Sequence, residues 1–296
     1  MTTVAVLGTF ETAAENSEIV ARRIEAAGHR AVRIHRDEPL TSKLRKLAGS
    51  QIVYGAGFGF AAKLWAVSRA MGKRTVNHWV GTDVMLAIED TRHRKMAQQA
   101  KRFVQQHLTV APWLVEELKP LGIASEMVPF TTPIHYECRT ARGQRGVLTY
   151  LPDDRAQFYG AQIVGAVARE LPDVPFGVVA GTAERQPALP NVEYLGWVDD
   201  MRPLYEQYPI LLRVAKHDGV PKMVLEALAF GNQVVFEYEF PGCRHAETTD
   251  EVLAAIRAIL AEGTPINRAG SDYVRRHYGS EQLTRNMLRA IGVTAA

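Results

Sequence analysis

Short apolar runs alternate along the chain with segments of helical periodicity. In the first half, strand-like runs lie at residues 3–8, 31–34, 51–54, 74–78, 108–111 and 126–129. The helical pattern is clearest at residues 17–27, and Gly28 directly follows it. Alternating strands and helices are typical of parallel sheets joined by crossover helices. The first half is therefore predicted to be one Rossmann-like α/β domain.

The alternation stops at residues 131–146, a stretch without periodicity that contains Pro133, Gly143 and Gly146 and is predicted to be a linker. Beyond it, strands are predicted at 146–150, 176–180, 192–194, 210–214 and 233–237, and helices at 158–170, 201–207 and 221–230. Residues 272–290 form a further helical pattern with a break near Gly279. We therefore expect an N-terminal domain over 1–136, a second Rossmann-like domain over 137–271 and a closing helical segment over 272–296. Two such domains in series predict an interdomain cleft, because open α/β sheets bind ligands at their carboxyl edges.

Composition narrows the class of protein. Apolar residues make up 47% of the chain and charged residues 23%, which is typical of a folded globular protein. The chain has no run of 18 apolar residues, and its start lacks the features of a signal peptide, so we expect a cytoplasmic protein. Its two cysteines, Cys138 and Cys243, lie far apart without metal-ligand spacing, which gives no support for a disulfide framework or a zinc site.

The net charge of +3 is too small to indicate nucleic acid as a partner. Basic residues nevertheless cluster in one predicted helix, over residues 91–107, and they are Arg92, Arg94, Lys95, Lys101 and Arg102. Two interpretations stay open. The cluster is either a solvated helix face or a contact with an anionic membrane surface, which would bring the protein to the inner face of the membrane.

The segment from Arg213 to Val235 combines a strand end, a glycine-containing loop and a helix. Asp218 is predicted to be the N-cap of that helix, with Pro221 at or beside the first helical position and Gly231 at its end. A helix that starts at the carboxyl end of a strand directs free N–H groups and a positive dipole end toward a ligand, which suits a diphosphate. Considered singly, Asp218 is a helix cap and Glu226 is a surface glutamate.

The same segment, D-G-V-P-K-M-V-L-E-A-L-A-F-G-N-Q-V-V over 218–235, resembles the Glu-x7-Glu element of retaining GT-B glycosyltransferases, notably family 4. The resemblance implies that Asp218 binds donor-sugar hydroxyls and Glu226 the ribose hydroxyls, with Gly219, Val220 and Pro221 between them. Asp218 departs from the family's glutamate and reaches less far. The first domain would then take the acceptor and the second the nucleotide sugar, with transfer that retains anomeric configuration.

Other segments extend this resemblance. Residues 192–212 are similar to the segment that contacts the nucleotide base, which nominates Gly196 and Trp197. The stretch T-V-N-H over 75–78 matches the family's T-x-H, whose histidine, here His78, faces the donor sugar. The end of the chain is similar to the helix that returns to the first domain.

Two phosphate-binding elements depart from the family pattern. The family's arginine and lysine after the first strand of the second domain are replaced by T-Y-L-P-D-D-R-A-Q-F-Y-G, so Arg155 and Arg213 are assigned to neutralise the diphosphate. The glycine-rich first loop is reduced to Gly8-Thr9, which serves a tight turn equally well.

Competing functions are judged by the motifs that they require. A nicotinamide-dependent dehydrogenase needs G-x-G-x-x-G before its first helix, and a metal-dependent transferase needs D-x-D; the chain has neither motif in those places. We therefore expect metal-independent transfer, with no cofactor besides the nucleotide-sugar donor and with a carbohydrate, lipid-linked or small-molecule acceptor. A sugar-nucleotide epimerase and an inactive sugar-nucleotide-binding protein remain alternatives, because one fold hosts several reactions.

Overall fold

A computed structural model describes residues 1–9, 16–57, 62–129, 134, 138, 146–184 and 189–293. Most of the linker predicted at 131–146 lies outside these residues. The chain divides into two compact units. The first unit consists of Met1–Pro133, Asp218–Val220 and Ser280–Ala296, and the second of Ile134–His217 and Pro221–Gly279.

The first unit contains a six-stranded sheet in which all strands are parallel. Its strands are β1 (Thr3–Gly8), β2 (Arg30–His35), β3 (Ile52–Ala56), β4 (Arg74–Trp79), β5 (Gln106–Thr109) and β6 (Glu126–Met127). Its helices are α1 (Asn16–Ala26), α2 (Leu40–Ala48), α3 (Ala62–Ala70), α4 (Thr82–Glu89), α5 (Thr91–Phe103) and α6 (Pro112–Leu118), with a 3-10 turn at Lys119–Leu121. The strand order is β2-β1-β3-β4-β5-β6, so the direction of the crossovers reverses between β1 and β3.

The second unit repeats this architecture with its own six parallel strands. The strands are β7 (Val147–Tyr150), β8 (Phe176–Val179), β9 (Val192–Gly196), β10 (Ile210–Arg213), β11 (Gln233–Phe236) and β12 (Cys243–His245). The helices are α7 (Ala161–Glu170), α8 (Arg202–Gln207), α9 (Lys222–Phe230), α10 (Thr249–Ala261) and α11 (Arg268–Tyr278). The order β12-β11-β10-β7-β8-β9 reverses between β7 and β10. Open parallel sheets bind ligands at such a reversal, outside the carboxyl ends of the strands.

The last helix, α12 (Ser280–Ile291), belongs to the first unit. Met287, Leu288 and Ile291 are buried in that unit's hydrophobic core, together with residues of β1, β3 and β4. Helix α11 belongs to the second unit, so the helical pattern over 272–290 falls into two units on either side of Gly279. The predicted return of the chain to the first unit is therefore confirmed for α12.

The fold class predicted from the sequence is confirmed, because both halves are parallel α/β units. The strands predicted from apolar runs are present, whereas β12 and helices α2, α3, α4, α6 and α10 were not predicted. The helix expected over 91–107 ends at Phe103, and β5 begins at Gln106. The helix expected over 158–170 begins only at Ala161, and residues 158–160 form a turn. Among the helices of the described residues, none is both long and apolar enough to cross a bilayer.

The turn after β4 is organised by one carboxylate, that of Asp83. Its Oδ1 atom accepts the backbone N–H groups of Val80, Gly81 and Val84 at 3.0, 2.9 and 3.0 Å. The Oδ2 atom is buried and has no hydrogen-bond partner among the residues that the structure describes. Burial raises the pKa of Asp83 from 3.8 to about 6, although the three N–H groups favour the charged form.

This raised pKa predicts how stability depends on pH. An aspartate with a higher pKa in the folded state binds its proton more tightly when folded. The stability that this bound proton contributes is therefore fully present below the unfolded pKa of 3.8 and is lost as pH rises through about 6. We expect Asp83→Asn to be more stable relative to wild type at pH 8 than at pH 4, by up to about 3 kcal/mol in urea unfolding.

Asp90→Asn provides the matched control. Asp90 caps α5 by accepting the backbone N–H of His93, and this hydrogen bond lowers its pKa. The stability that it contributes is present above the unfolded pKa and is lost as pH falls, so its substitution should be most costly at high pH. A difference between Asp83→Asn and wild type that does not change with pH would contradict the prediction.

Candidate functional site

Arg213 lies at the carboxyl edge of the second sheet, at the point where the strand order reverses. It is the last residue of β10 and is only 7% exposed. Its guanidinium carbon lies 4.5 Å from the centroid of the Tyr159 ring and 5.2 Å from that of Tyr150, the last residue of β7. These distances are within the range of cation–π attraction. Two aromatic rings therefore hold this charge beside the adjacent ends of β7 and β10.

Arg155 contacts the same Tyr159 ring from the loop between β7 and α7. Its guanidinium carbon lies 5.3 Å from the Tyr159 centroid and 4.5 Å from that of Phe158. Arg155 is exposed to solvent, whereas Arg213 is buried. The structure thus brings together the two arginines that the sequence assigned to the diphosphate, and the Tyr159 ring joins them.

The backbone of the 151–160 loop is attached to the chain that follows β10. The Lys216 N–H donates to the Phe158 carbonyl at 2.7 Å. Gly160 has φ +77°, and a Cβ at this position would collide with the Val214 carbonyl oxygen. Only glycine allows both this left-handed conformation and this close approach. The position of the Tyr159 ring relative to Arg213 is therefore set by the backbone.

Two guanidinium groups around one ring can receive an anion that carries several acidic oxygens, because each group presents a planar fork of N–H donors. A diphosphate is such an anion. Sequence reasoning did not identify Tyr150 and Tyr159, since residues 158–160 were predicted to be helical. The available signal was a tyrosine at the predicted end of β7 and a second one directly before Gly160.

Glu226 is a nearly buried carboxylate on α9, with 5% of the residue exposed. The Tyr205 hydroxyl donates to its Oε2 atom at 3.0 Å, and the Lys222 ammonium lies 3.0 Å from its Oε1 atom. The alternative of a solvated surface glutamate is therefore wrong. Because Lys222 is half-exposed, Oε1 is the oxygen that a ligand could share.

Asp218 is not the N-cap of α9, so that prediction is wrong. The helix starts at Lys222, and Pro221 is its cap residue with φ −65° and ψ 138° and no side-chain cap. Pro221 thus lies beside the first helical position, as predicted. The Asp218 Oδ1 atom accepts the N–H of its neighbour Gly219 at 2.9 Å, and the Trp113 indole N–H donates to the Asp218 carbonyl at 2.8 Å. The side chain and the carbonyl of Asp218 are thus used in contacts outside the helix, which begins only after Pro221.

The Asp218–Val220 segment belongs to the first unit and fits there because of two glycines. A Cβ at Gly219 would lie 2.6 Å from the Val80 carbonyl oxygen, and one at Gly81 would lie 2.8 Å from the Gly219 nitrogen. Neither position has room for a side chain. Val220 then packs against the first unit's hydrophobic core. These contacts give Gly219 and Val220 a structural role, and their binding of a donor stays a prediction.

Gly196 and Trp197 follow one another at the end of β9. Gly196 has φ +62°, and its carbonyl accepts the Ala180 N–H at 2.6 Å. Trp197 is 77% exposed, while its indole N–H donates to the Asp199 carboxylate at 3.0 Å. The ring is thus oriented but not covered. Its contact with a nucleotide base stays a prediction.

The two remaining assigned residues lie in the first unit. His78, on β4, is 0% exposed and lies 2.8 Å from the Tyr54 hydroxyl through Nδ1. Burial lowers the pKa of His78 to about 3, so the ring is neutral at pH 7. Its contact with a donor sugar stays a prediction that requires the ring to become accessible. Gly8 ends β1, and a Cβ there would collide with the Ser17 side chain, so glycine is required for α1 to approach the strand.

No group of three or more His, Cys, Asp and Glu side chains in the described parts of the chain is arranged to hold a metal ion.

Comparison with known proteins gives a result at the level of fold. No family model matches the chain, and no curated protein matches its sequence. The structure of HepE (Alr3699) from Anabaena in complex with UDP-glucose aligns with a TM-score of 0.76 at 12% identity, over 98% of this chain and 99% of that one. Sucrose-phosphate synthase from Thermosynechococcus elongatus aligns with a TM-score of 0.77 at 12% identity, over 98% of each chain.

The pneumococcal O-GlcNAc transferase GtfA, in complex with UDP and GlcNAc, aligns with a TM-score of 0.62 at 11% identity, over 84% of this chain and 58% of that chain. At identities this low, the structural alignments demonstrate a shared fold. The activity of this chain has to be inferred from its own residues. The chain therefore has the two-domain GT-B fold of glycosyltransferases, as the sequence resemblance implied.

Proposed function

We propose that this protein is a glycosyltransferase that moves a sugar from a nucleoside-diphosphate sugar to a hydroxyl-bearing acceptor. The observation that carries the proposal is the convergence of Arg155 and Arg213 on Tyr159, at the reversal point of the second sheet. Open α/β sheets bind nucleotides at this point. Two solved structures with the same fold contain UDP-glucose or UDP, so a uridine nucleotide is the first donor to test.

The donor diphosphate would be bound by Arg155, Arg213 and the free N–H groups at the start of α9, beside Pro221. Glu226 would accept hydrogen bonds from the ribose hydroxyls in place of Lys222. Trp197 and the Gly196 backbone would contact the base. Asp218 and His78 would contact the sugar, and Gly8, Gly219 and Val220 would form backbone near the donor.

The proposed chemistry is mainly electrostatic. As the donor's glycosidic bond breaks, negative charge develops on the departing diphosphate, and fixed positive charges stabilise it without reorganisation. Two arginines can supply this charge, which supports transfer without a divalent metal. Retention of anomeric configuration is the stereochemistry that the family 4 resemblance implies. The acceptor is a carbohydrate, a lipid-linked compound or a small molecule.

The first experiment is a donor assay in excess chelator. We expect release of UDP from UDP-glucose that depends on an added acceptor and continues in EDTA, because the arginines replace the metal's charge. Mass spectrometry of the acceptor checks for the transferred hexose. Loss of activity in EDTA that manganese or magnesium restores would contradict metal independence. Conversion of the donor into an isomeric nucleotide sugar would instead identify an epimerase, and binding without either reaction would identify a binding protein.

The ribose assignment of Glu226 predicts a specific loss of affinity. Calorimetry would compare UDP with its 2′,3′-dideoxy analogue on wild type and on Glu226→Gln. If Glu226 binds the ribose hydroxyls, wild type should prefer UDP by about 1.5–3 kcal/mol, and the variant should lose most of this preference. Glutamine keeps an acceptor for Tyr205, so thermal unfolding should change little.

Tyr205→Phe is the matched control, because it removes the hydroxyl that donates to Glu226 and leaves the carboxylate. It should lower stability by about 0.5–1.5 kcal/mol and leave the preference for UDP intact. Glu226→Ala should also be less stable than wild type, since the buried Tyr205 hydroxyl loses its partner. The ribose assignment fails if wild type and Glu226→Gln discriminate equally between the two ligands.

The basic face of α5 supports a second partner, an anionic membrane surface. Arg92, Arg94, Lys95, Lys101 and Arg102 are all exposed.

Each basic residue near an anionic bilayer contributes about 1 kcal/mol to the free energy of membrane binding. We expect binding to phosphatidylserine vesicles at low salt, weakened at least about tenfold in Lys95→Glu/Arg102→Glu. The control is Arg276→Glu, an exposed arginine on α11. Flotation without any bound protein at low salt would favour a merely solvated helix face.

A further inference from the structure

The Tyr159 ring contacts two positively charged side chains, those of Arg155 and Arg213. Two guanidinium groups near one point repel each other, and this repulsion costs free energy in a partly buried site. An aromatic face carries the negative part of the ring quadrupole and attracts cations. The Tyr159 ring lies 4.5 Å from the Arg213 guanidinium carbon and 5.3 Å from that of Arg155. It therefore offsets the repulsion between them.

Neighbouring rings do not duplicate this arrangement. Tyr150 contacts Arg213 at 5.2 Å, and Phe158 contacts Arg155 at 4.5 Å. Among the described residues, Tyr159 is the ring that contacts both arginines. Removing its π face would therefore separate the two charges, even though each arginine would keep one aromatic neighbour.

The Tyr159 ring is itself held firmly. It packs edge-on against Tyr150, with centroids 5.2 Å apart and planes at 88°, and against Phe158, with centroids 5.2 Å apart and planes at 76°. The hydrogen bond from the Lys216 N–H to the Phe158 carbonyl and the close approach of Gly160 to Val214 fix the backbone on either side. A rigid ring keeps the two guanidinium groups at a constant separation before a ligand arrives, which lowers the cost of ordering them on binding.

We propose that Tyr159 is a positioning residue that holds Arg155 and Arg213 as one receptor for the donor diphosphate. The inference rests on the proposed function, because it assigns the diphosphate to these arginines. It concerns the ring face and not the hydroxyl, so phenylalanine replaces tyrosine without loss. It also concerns the second phosphate in particular, because a single phosphate is bound by one arginine and a diphosphate uses both.

The test measures the ratio of UDP affinity to UMP affinity by calorimetry in wild type, Tyr159→Phe, Tyr159→Leu and Tyr159→Met. We expect wild type and Tyr159→Phe to prefer UDP equally. Tyr159→Leu and Tyr159→Met lack a π face and should lose at least about tenfold of this preference while still binding UMP. A general folding defect lowers both affinities together, so the ratio isolates the positioning role. Two apolar variants of different shape are used so that the test remains possible if one of them does not fold.

Phe158→Leu is the matched control. Within the described part of the chain, the cation–π partners of Arg213 are Tyr150 and Tyr159, whereas the Phe158 ring contacts Arg155. Its effect on the ratio should be smaller than that of Tyr159→Leu. An unchanged ratio in both Tyr159→Leu and Tyr159→Met overturns the inference, and so does a wild-type protein with no preference for UDP. If the ratio behaves as expected but no sugar is transferred to any acceptor, the role of Tyr159 stands and the proposed transferase activity fails.

Discussion

The reversal of strand order between β7 and β10 is the constraint on which the candidate site depends. Strands β8 and β9 lie on one side of β7, and β10, β11 and β12 on the other, so the loops after β7 and β10 lead in opposite directions. Tyr150 and Arg213 are the last residues of these two strands. Their side chains are therefore neighbours at the carboxyl edge of the sheet.

Charge at this edge is arranged by aromatic rings and backbone rather than by a phosphate-binding glycine-rich loop. The Tyr159 ring makes cation–π contacts with both Arg155 and Arg213. Gly160 allows the backbone of the loop to approach Val214 closely. On α9, Glu226 is held in a different way, by a buried hydroxyl and an exposed ammonium. The second unit thus contains positive and negative groups that are held by separate sets of contacts.

The motif over 218–235 contains two segments that belong to different units of the fold. Residues 222–230 form helix α9, which is buried from Val224 onward, whereas Asp218, Gly219 and Val220 pack within the first unit. Gly219 has no room for a Cβ, and the Trp113 indole holds the Asp218 carbonyl. The aspartate that resembles a helix cap in sequence therefore serves a backbone contact instead. Its position in the structure follows from that contact and not from helical spacing.

Local sequence was sufficient to predict the parallel α/β fold, both sheets and most strands, because apolar runs and their spacing reflect burial on both faces of a parallel sheet. The resemblance to the Glu-x7-Glu element nominated Glu226, and the departure from the family's arginine and lysine led to the assignment of Arg155 and Arg213. The tertiary structure decided what each residue contacts. Tyr159 joins arginines that are 58 positions apart in the numbering of the chain, and Glu226 is paired with Tyr205, 21 positions away. Such partners depend on which strands are neighbours, and no local periodicity encodes that order.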